Sequence, residues 1–281
     1  MCRYVDISRE DLNISFEDIK QRVKREDILI APSLYGNPAD ICNIESWCRE
    51  NDVYLIDDAA QAFGSSLNGK NIGSFGDAGL FSFSAGKPTI GGMGSFFWSE
   101  NEFQITHRTR HHFYHRLVNF NFWKNRYGDY RANRLYRNRG LWYFQIVLGK
   151  IFDVDWDNYE KIDFSYNMRS AYANLHRWQQ YRNEITQMFS ERLHEKPFHI
   201  IRNVRGISNP VKVVMICDDE RTKALVKEAG NRANYHFADG YKLLDSGSYP
   251  IAENVFEKII EIPIHPDKKL MNRVVKELEK I

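Results

Sequence analysis

The sequence predicts an α/β protein in which a three-layered, mostly parallel sheet is followed by a smaller C-terminal α+β domain. Up to residue 60, short apolar segments alternate with amphipathic helical ones, a rhythm typical of parallel sheets covered by helices. Residues 197–281 show strand, helix, strand and helix patterns in turn. We therefore expect a large domain at 1–196, which contains a basic aromatic insert near 107–160, and a small domain at 197–281.

Periodicity and turn residues predict five elements before residue 60: a strand at Tyr4–Ile7, a helix from Ser15 to Val23, a strand at Ile28–Ile30, a helix at Ala39–Arg49 and a strand at Val53–Ile56. Ser15 is an N-cap candidate because its hydroxyl can accept a hydrogen bond from the backbone N–H of Asp18. In open parallel sheets, ligands bind beyond the carboxyl ends of the strands. Asp57 and Asp58, which follow the third strand, therefore mark a candidate site.

Six further elements are predicted: a strand at Ser95–Trp98, a long helix at Ser170–Leu193, a strand at Val211–Cys217, a helix at Asp219–Ala229, a strand at Ile259–Ile264 and a helix at Asp267–Ile281. The long helix carries one apolar stripe that includes Leu175, Ile185 and Phe189. Gly230 ends the predicted helix at Asp219–Ala229. We expect the boundary between the two domains near Pro197.

The composition is typical of a globular protein outside the membrane. Apolar residues make up 43% and charged residues 27% of the 281 residues, and the formal net charge is +2. No apolar run reaches the ~18 residues that a membrane-spanning helix needs, and the N-terminus lacks the pattern of a signal peptide. The four cysteines show neither metal-binding nor disulfide spacing. We expect a cytoplasmic protein without a metal site.

Two segments carry residue types suited to cofactor chemistry. Asp58 and Gln61 follow the third predicted strand, and Ser82 and Lys87 lie beside a glycine-rich turn. Alone, each has an ordinary interpretation: a surface charge, a helix residue, a strand hydroxyl or a solvated amine. Together they offer an acid for a ring nitrogen, an amide for a ring oxygen, a hydroxyl for a phosphate and an amine for a Schiff base. Pyridoxal phosphate (PLP) requires this set of groups.

The sequence around these residues resembles the DegT/DnrJ/EryC1/StrS family of PLP-dependent sugar aminotransferases. The resemblance rests on DDAAQAFG at 57–64 and FSFSAGK at 81–87, supported by LYGNPAD at 34–40 and YNMR at 166–169. It covers most of the chain except the basic insert. The family implies the aspartate-aminotransferase fold, fold type I, with PLP as cofactor.

The resemblance implies a role for each matching residue. Lys87 would form the Schiff base with PLP and carry protons. Asp58 would pair with the pyridine nitrogen, Gln61 would lie against the oxygen side of the ring, and Ser82 would bind the phosphate.

Substrate and subunit contacts are implied in the same way. The family moves an amino group from glutamate to a keto-sugar on a nucleoside diphosphate, for polysaccharide, lipopolysaccharide or antibiotic-sugar synthesis. Asn167 would reach the cofactor region of the neighbouring subunit, which implies a homodimer. Arg169, or the basic insert, would meet the pyrophosphate of the nucleotide sugar.

The match begins where the family's third or fourth strand should lie, so we expect an N-terminally truncated large domain. In the family, the preceding region supplies a Gly-Thr helix N-terminus for the phosphate, a strong type of anion site. Three interpretations follow: an aminotransferase, a weakened PLP binder, or a catalytically incomplete partner subunit of the same family.

The basic insert suggests one unrelated alternative. Between His107 and Arg139 there are nine Lys/Arg residues, four histidines and one acid, Asp129, with aromatic residues interleaved. This texture suits nucleic acid or another anionic surface. No recognisable nucleic-acid module accompanies it, so we do not expect nucleic acid as the main partner.

Overall fold

The computed structural model describes residues 2–83, 87–88, 95–101, 173–241, 243 and 247–281. Over these ranges the chain forms two four-stranded sheets and a short hairpin, covered by helices. The mixed α/β character predicted from the sequence is confirmed.

The first sheet contains the strands β1 (Ile28–Pro32), β2 (Tyr54–Asp58), β5 (Ala78–Ser82) and β6 (Ser95–Ser99), in the order β1-β2-β5-β6. β1, β2 and β5 run parallel, and β6 runs antiparallel to β5. A hairpin of β3 (Ser66–Leu67) and β4 (Lys70–Asn71) interrupts the chain between β2 and β5. The parallel-dominated sheet agrees with the sequence prediction.

Two helices cover one face of this sheet, α1 (Phe16–Arg22) and α2 (Ile41–Glu50). Ser15 caps α1 as predicted, because its hydroxyl accepts a hydrogen bond from the backbone N–H of Asp18 at 3.3 Å. The fully buried Ile19 and Ile44 pack with Leu55 of β2 in one apolar cluster. This packing holds the carboxyl ends of β2 and β5 at one edge of the sheet.

The second sheet is antiparallel and contains β7 (Phe198–Ile200), β8 (Lys212–Cys217), β9 (Ala238–Asp239) and β10 (Ile259–Pro263), in the order β7-β8-β10-β9. The helices around it are α3 (Leu175–Arg192), α4 (Glu220–Arg232), α5 (Pro250–Val255) and α6 (Lys268–Leu278). The strands and helices predicted for residues 211–281 are therefore present, with their ends shifted by a few residues. β7, β9 and α5 were not predicted from the sequence.

Both faces of the second sheet are buried. One face packs with α3, α4 and α6 through residues such as Met215, Ile260 and Phe189. The opposite face contributes Val214 to a cluster that also contains Tyr35 of the N-terminal region. Side chains alternate along each strand, so Lys212 and Glu261 also lie on this second face. The sheet therefore delivers two charged groups towards the N-terminal region, while the boundary at 196/197 stays a prediction.

The predicted strand at Tyr4–Ile7 is wrong. The structure has a single β-bridge there, between Ile7 and Ile14. Asp6 is buried, and its two carboxylate oxygens each accept a backbone N–H of α5, from Ile251 and Ala252, at 2.9 Å. The segment is therefore held by a buried carboxylate at a helix N-terminus, where negative charge is favoured. Periodicity along the segment cannot predict this contact, because the helix is distant in sequence.

Candidate functional site

β2 ends in two adjacent carboxylates that point to opposite faces of the sheet. Leu55 and Asp57 are buried and Asp58 is half-buried, as alternation along a strand requires. One Asp58 carboxylate oxygen accepts a hydrogen bond from the backbone N–H of Ala60 at 2.8 Å. Asp58 therefore lies at the carboxyl end of a central parallel strand, where ligands of such sheets bind.

Lys87 lies within electrostatic reach of Asp58. Lys87 is half-buried, and burial lowers the pKa of its amine below the usual value for lysine. The charge of Asp58 opposes this shift, whereas the nearby Lys212 adds to it. An amine with a lowered pKa is unprotonated more often, and only the unprotonated form is a nucleophile.

Ser82 is the last residue of β5, the strand next to β2. Asp58 is paired with Leu80 in the parallel register, so Ser82, two residues further along, lies on the same face of the sheet as Asp58. Its side chain is half-buried. The carboxyl ends of two neighbouring strands thus present a carboxylate and a hydroxyl on one face.

Gln61 is held at both ends of its amide. Its oxygen accepts the backbone N–H of Tyr35 at 3.2 Å, and its nitrogen donates to the hydroxyl of Tyr241 at 3.0 Å. Tyr35 is buried and adopts a left-handed backbone conformation with φ of 58°, an uncommon conformation for a bulky residue. This amide therefore joins the loop after β2 to the C-terminal part of the chain.

Two further predicted site residues, Asn167 and Arg169, lie outside the described residues. The basic insert at 107–160 does as well. Their roles stay predictions.

A second charged pair lies beside Lys87 and was not predicted from the sequence. Lys212 forms an ion pair with the nearly buried Glu261, which also accepts a hydrogen bond from the hydroxyl of Tyr35. Burial raises the pKa of Tyr35, and the charge of Glu261 adds to the rise. The Lys212 ammonium lies 5.8 Å from the ring centroid of Tyr241, within the range of a cation–π contact. Local sequence carries no signal for this group, because the register of β8 against β10 creates it.

Asp57 has a different task from Asp58. One of its oxygens accepts the backbone N–H groups of Gly73 and Phe75, at 2.5 and 3.1 Å. The other oxygen is buried and has no hydrogen-bond partner in the described part of the chain. Burial raises the pKa of Asp57 to about 7, although the two backbone N–H groups oppose the shift; the charge of Asp58 adds to it. Asp57 therefore fixes the loop at residues 73–75 rather than facing the candidate site.

The raised pKa of Asp57 predicts a pH-dependent stability. Between pH 3.8 and about 7 the unfolded chain has lost this proton while the folded chain keeps it, so the free energy of unfolding falls as pH rises, by about 1.4 kcal/mol per pH unit at most. We expect Asp57→Asn to remove this decline. Urea unfolding across that range measures it.

Asp219 offers a control of opposite sign. It caps α4 through the backbone N–H of Thr222 at 2.7 Å, and that hydrogen bond lowers its pKa. Asp219→Asn should therefore lose stability above the ordinary carboxyl pKa rather than gain it. Parallel stability curves for the wild type and Asp57→Asn would contradict the assignment of a raised pKa to Asp57.

The described ranges contain no group of three or more His, Cys, Asp or Glu side chains placed to hold a metal ion. None of their helices has both the length and the apolar character needed to cross a membrane.

Comparison with known proteins identifies similar sequences. The family model for the DegT/DnrJ/EryC1/StrS aminotransferase family matches residues 2–129. An uncharacterized protein of Methanocaldococcus jannaschii is 27% identical over 292 residues, which cover 94% of this chain and 68% of that protein. The GDP-perosamine synthase of Vibrio cholerae is 36% identical over 103 residues, which cover 36% of this chain and 28% of the synthase.

Solved structures show the same fold. The aminotransferase TlmJ of Streptoalloteichus hindustanus superposes with a TM-score of 0.71 at 17% identity, covering 99% of this chain and 72% of that one. The Escherichia coli GDP-4-keto-6-deoxy-D-mannose-3-dehydratase with bound hydrated PLP gives 0.69 at 16% identity, covering 98% and 73%. These neighbours have the type I fold of PLP enzymes, which agrees with the predicted fold class.

Proposed function

Because this chain belongs, through residues 2–129, to the DegT/DnrJ/EryC1/StrS aminotransferase family, we propose that it holds PLP on Lys87 and transfers an amino group from glutamate to a nucleotide-linked keto-sugar. The observation that carries the proposal is the half-buried Lys87, whose lowered pKa and charged neighbour Asp58 suit a nucleophilic amine beside a carboxylate.

The residues fit the chemistry of this cofactor. When bound, PLP supplies a covalent link to an amine and a ring that accepts electrons from the substrate carbon. Lys87 provides the amine and Asp58 a carboxylate for the ring nitrogen. Ser82 provides a hydroxyl on the same face of the sheet as Asp58, and Gln61 an amide fixed by two hydrogen bonds.

We assign each residue one physical task. Lys87 would hold the cofactor covalently and would carry a proton to and from the substrate carbon, which a group with a pKa nearer neutrality does best. Asp58 would keep a proton on the ring nitrogen through a charge-assisted hydrogen bond. Gln61 would lie against the oxygen side of the ring, and Ser82 would donate its hydroxyl to the phosphate.

The substrate class follows the similar proteins. The Vibrio cholerae relative is a GDP-perosamine synthase, and a relative from Saccharopolyspora spinosa is a dTDP-4-dehydro-2,3,6-trideoxy-D-glucose 4-aminotransferase. We propose a role in polysaccharide, lipopolysaccharide or antibiotic-sugar synthesis in the cytoplasm. The proposed working form is a homodimer in which Asn167 reaches the neighbouring cofactor and Arg169 the pyrophosphate of the substrate.

A covalent trapping experiment tests the proposal. Purified protein is incubated with PLP, reduced with borohydride and digested, and the modified peptide is identified by mass spectrometry. We expect close to one label per chain, on Lys87. Labels scattered over exposed lysines such as Lys70, or no label at all, would overturn the claim that this chain alone binds PLP at this site.

A further inference from the structure

Three side chains on one face of α3 form hydrogen bonds to three segments that contain or precede candidate site residues. Gln179, Arg182 and Asn183 lie at neighbouring positions on this helix face, and Gln179 and Arg182 are buried. Their side chains each bond to the chain at a different loop: the loop after β2, the segment of Lys87 and the loop before β8.

Arg182 reaches the residue directly after Lys87. Its Nη1 donates to the carbonyl of Pro88 at 2.8 Å and to the side-chain oxygen of Asn209 at 3.1 Å. The proline ring fixes φ, and the guanidinium holds the carbonyl of the same residue. The guanidinium is planar and always charged, which suits it to hold both oxygen atoms. These contacts fix the position of Pro88, the residue bonded to Lys87, relative to α3.

Asn209, whose side-chain oxygen accepts a hydrogen bond from Arg182, is itself held in place by other contacts. Asn209 is fully buried, its side-chain nitrogen donates to the carbonyl of Phe63 at 2.9 Å, and its backbone N–H donates to the carbonyl of Gly36 at 3.0 Å. Gly36 has a φ of 81°, and a Cβ there would lie 2.3 Å from the Asn209 carbonyl oxygen. This close approach is possible only with glycine.

Gln179 and Asn183, which neighbour Arg182 on the helix face, form hydrogen bonds to the other two loops. Gln179 donates to the carbonyl of Gly64 at 2.9 Å, three residues after Gln61. Asn183 donates to the carbonyl of Ser208 at 2.9 Å, four residues before Lys212. The helix therefore holds the loop of Gln61, the segment of Lys87 and the loop that precedes Lys212 in one arrangement.

We propose that Arg182 is a positioning residue for Lys87: it holds the Pro88 carbonyl and so keeps the Lys87 amine beside Asp58 and in its half-buried place. The proposal rests on the assignment of Lys87 as the PLP lysine. Its test uses the protein without cofactor, however, so that the two can fail separately.

The test measures the Lys87 amine directly. Competitive acetylation of the cofactor-free protein with a trace reagent, followed over pH by mass spectrometry, gives the pKa and the reactivity of each lysine. In the wild type we expect a Lys87 pKa below that of exposed lysines. In Arg182→Met the segment loses its anchor, so the pKa of Lys87 should rise towards that of exposed lysines, and its reactivity at neutral pH should fall by about tenfold for each unit of that rise.

A variant on the same helix separates positioning from general stability. Arg192, the last residue of α3, forms a bidentate ion pair with Glu279 at 2.8 and 2.9 Å. Arg192→Met should lower the free energy of unfolding without moving the Lys87 pKa. Arg182→Lys keeps the charge and a donor, and should restore part of the wild-type pKa even if Arg182→Met folds poorly.

The outcomes are decisive in both directions. A higher Lys87 pKa in Arg182→Met, absent in Arg192→Met and reduced in Arg182→Lys, supports positioning. An unchanged Lys87 titration in Arg182→Met and Arg182→Lys, or an equal change in Arg192→Met, overturns it. Slower covalent attachment of PLP to Lys87 in Arg182→Met, with the label still on Lys87, would add support that a purely structural role does not supply.

Discussion

Replacing Lys87 by arginine is expected to abolish covalent trapping of PLP on this chain. The guanidinium of arginine stays protonated in proteins and therefore cannot act as the nucleophilic amine. Arginine keeps the positive charge beside Asp58, so the surrounding electrostatics change little. With PLP added, exchange of the glutamate Cα proton with solvent deuterium, followed by NMR, should fall roughly 10²- to 10⁴-fold, the range for loss of a positioned proton carrier.

A matched lysine provides the control for this experiment. Lys70 lies on the short hairpin strand β4, where it is exposed and pairs with Glu45 at 3.2 Å. Lys70→Arg should leave both the label on Lys87 and the exchange rate at wild-type values. If Lys87→Arg retained wild-type exchange, Lys87 would not be the proton carrier, whatever its role in binding.

Asp58→Ala should separate covalent binding from catalysis. The carboxylate is proposed to stabilise charge on the ring nitrogen, and loss of such a group typically costs roughly 10²- to 10³-fold in rate. Trapping on Lys87 should persist, because Asp58 raises the pKa of Lys87 and its removal makes the amine less protonated. The expected result is a labelled protein whose deuterium exchange into glutamate is strongly slowed.

The adjacent residue is the control for Asp58. Asp57 lies one position earlier on β2, on the opposite face, where it holds the backbone N–H groups of Gly73 and Phe75. Asp57→Asn should change the pH dependence of stability while leaving the exchange rate near that of the wild type. Wild-type exchange in Asp58→Ala would show that the ring nitrogen does not depend on this carboxylate.

Part of the candidate site could be predicted because Asp58 directly follows a strand that local pattern reveals. In a parallel sheet, ligands bind beyond the carboxyl ends of the strands, so one topological rule marked Asp58 as a site residue. The strand β5, which ends at Ser82, was not predicted from its pattern. Grouping Ser82 and Lys87 with Asp58 rested on their residue types and on the family resemblance.

Other residues of the site could not be predicted, because they come from distant parts of the chain. Arg182 reaches Pro88 across 94 positions, and Lys212 meets Glu261 through an antiparallel register with a separation of 49. Nothing in local periodicity distinguishes these residues from exposed charges on a helix or strand. The incorrect strand at Tyr4–Ile7 has the same cause, since Asp6 is buried by a helix 245 residues away.

The order of residues was enough to predict the strand–helix rhythm, the parallel sheet and the two adjacent carboxylates at the end of β2. These follow from side-chain periodicity and backbone preference, which act over a few residues. The packed structure was needed to show that Asp57 bonds to the loop at residues 73–75 while Asp58 lies within electrostatic reach of Lys87, and that Arg182 donates to the Pro88 carbonyl. Burial and hydrogen-bond partners set the pKa and the position of a group, and they are supplied by whichever distant residues pack against it.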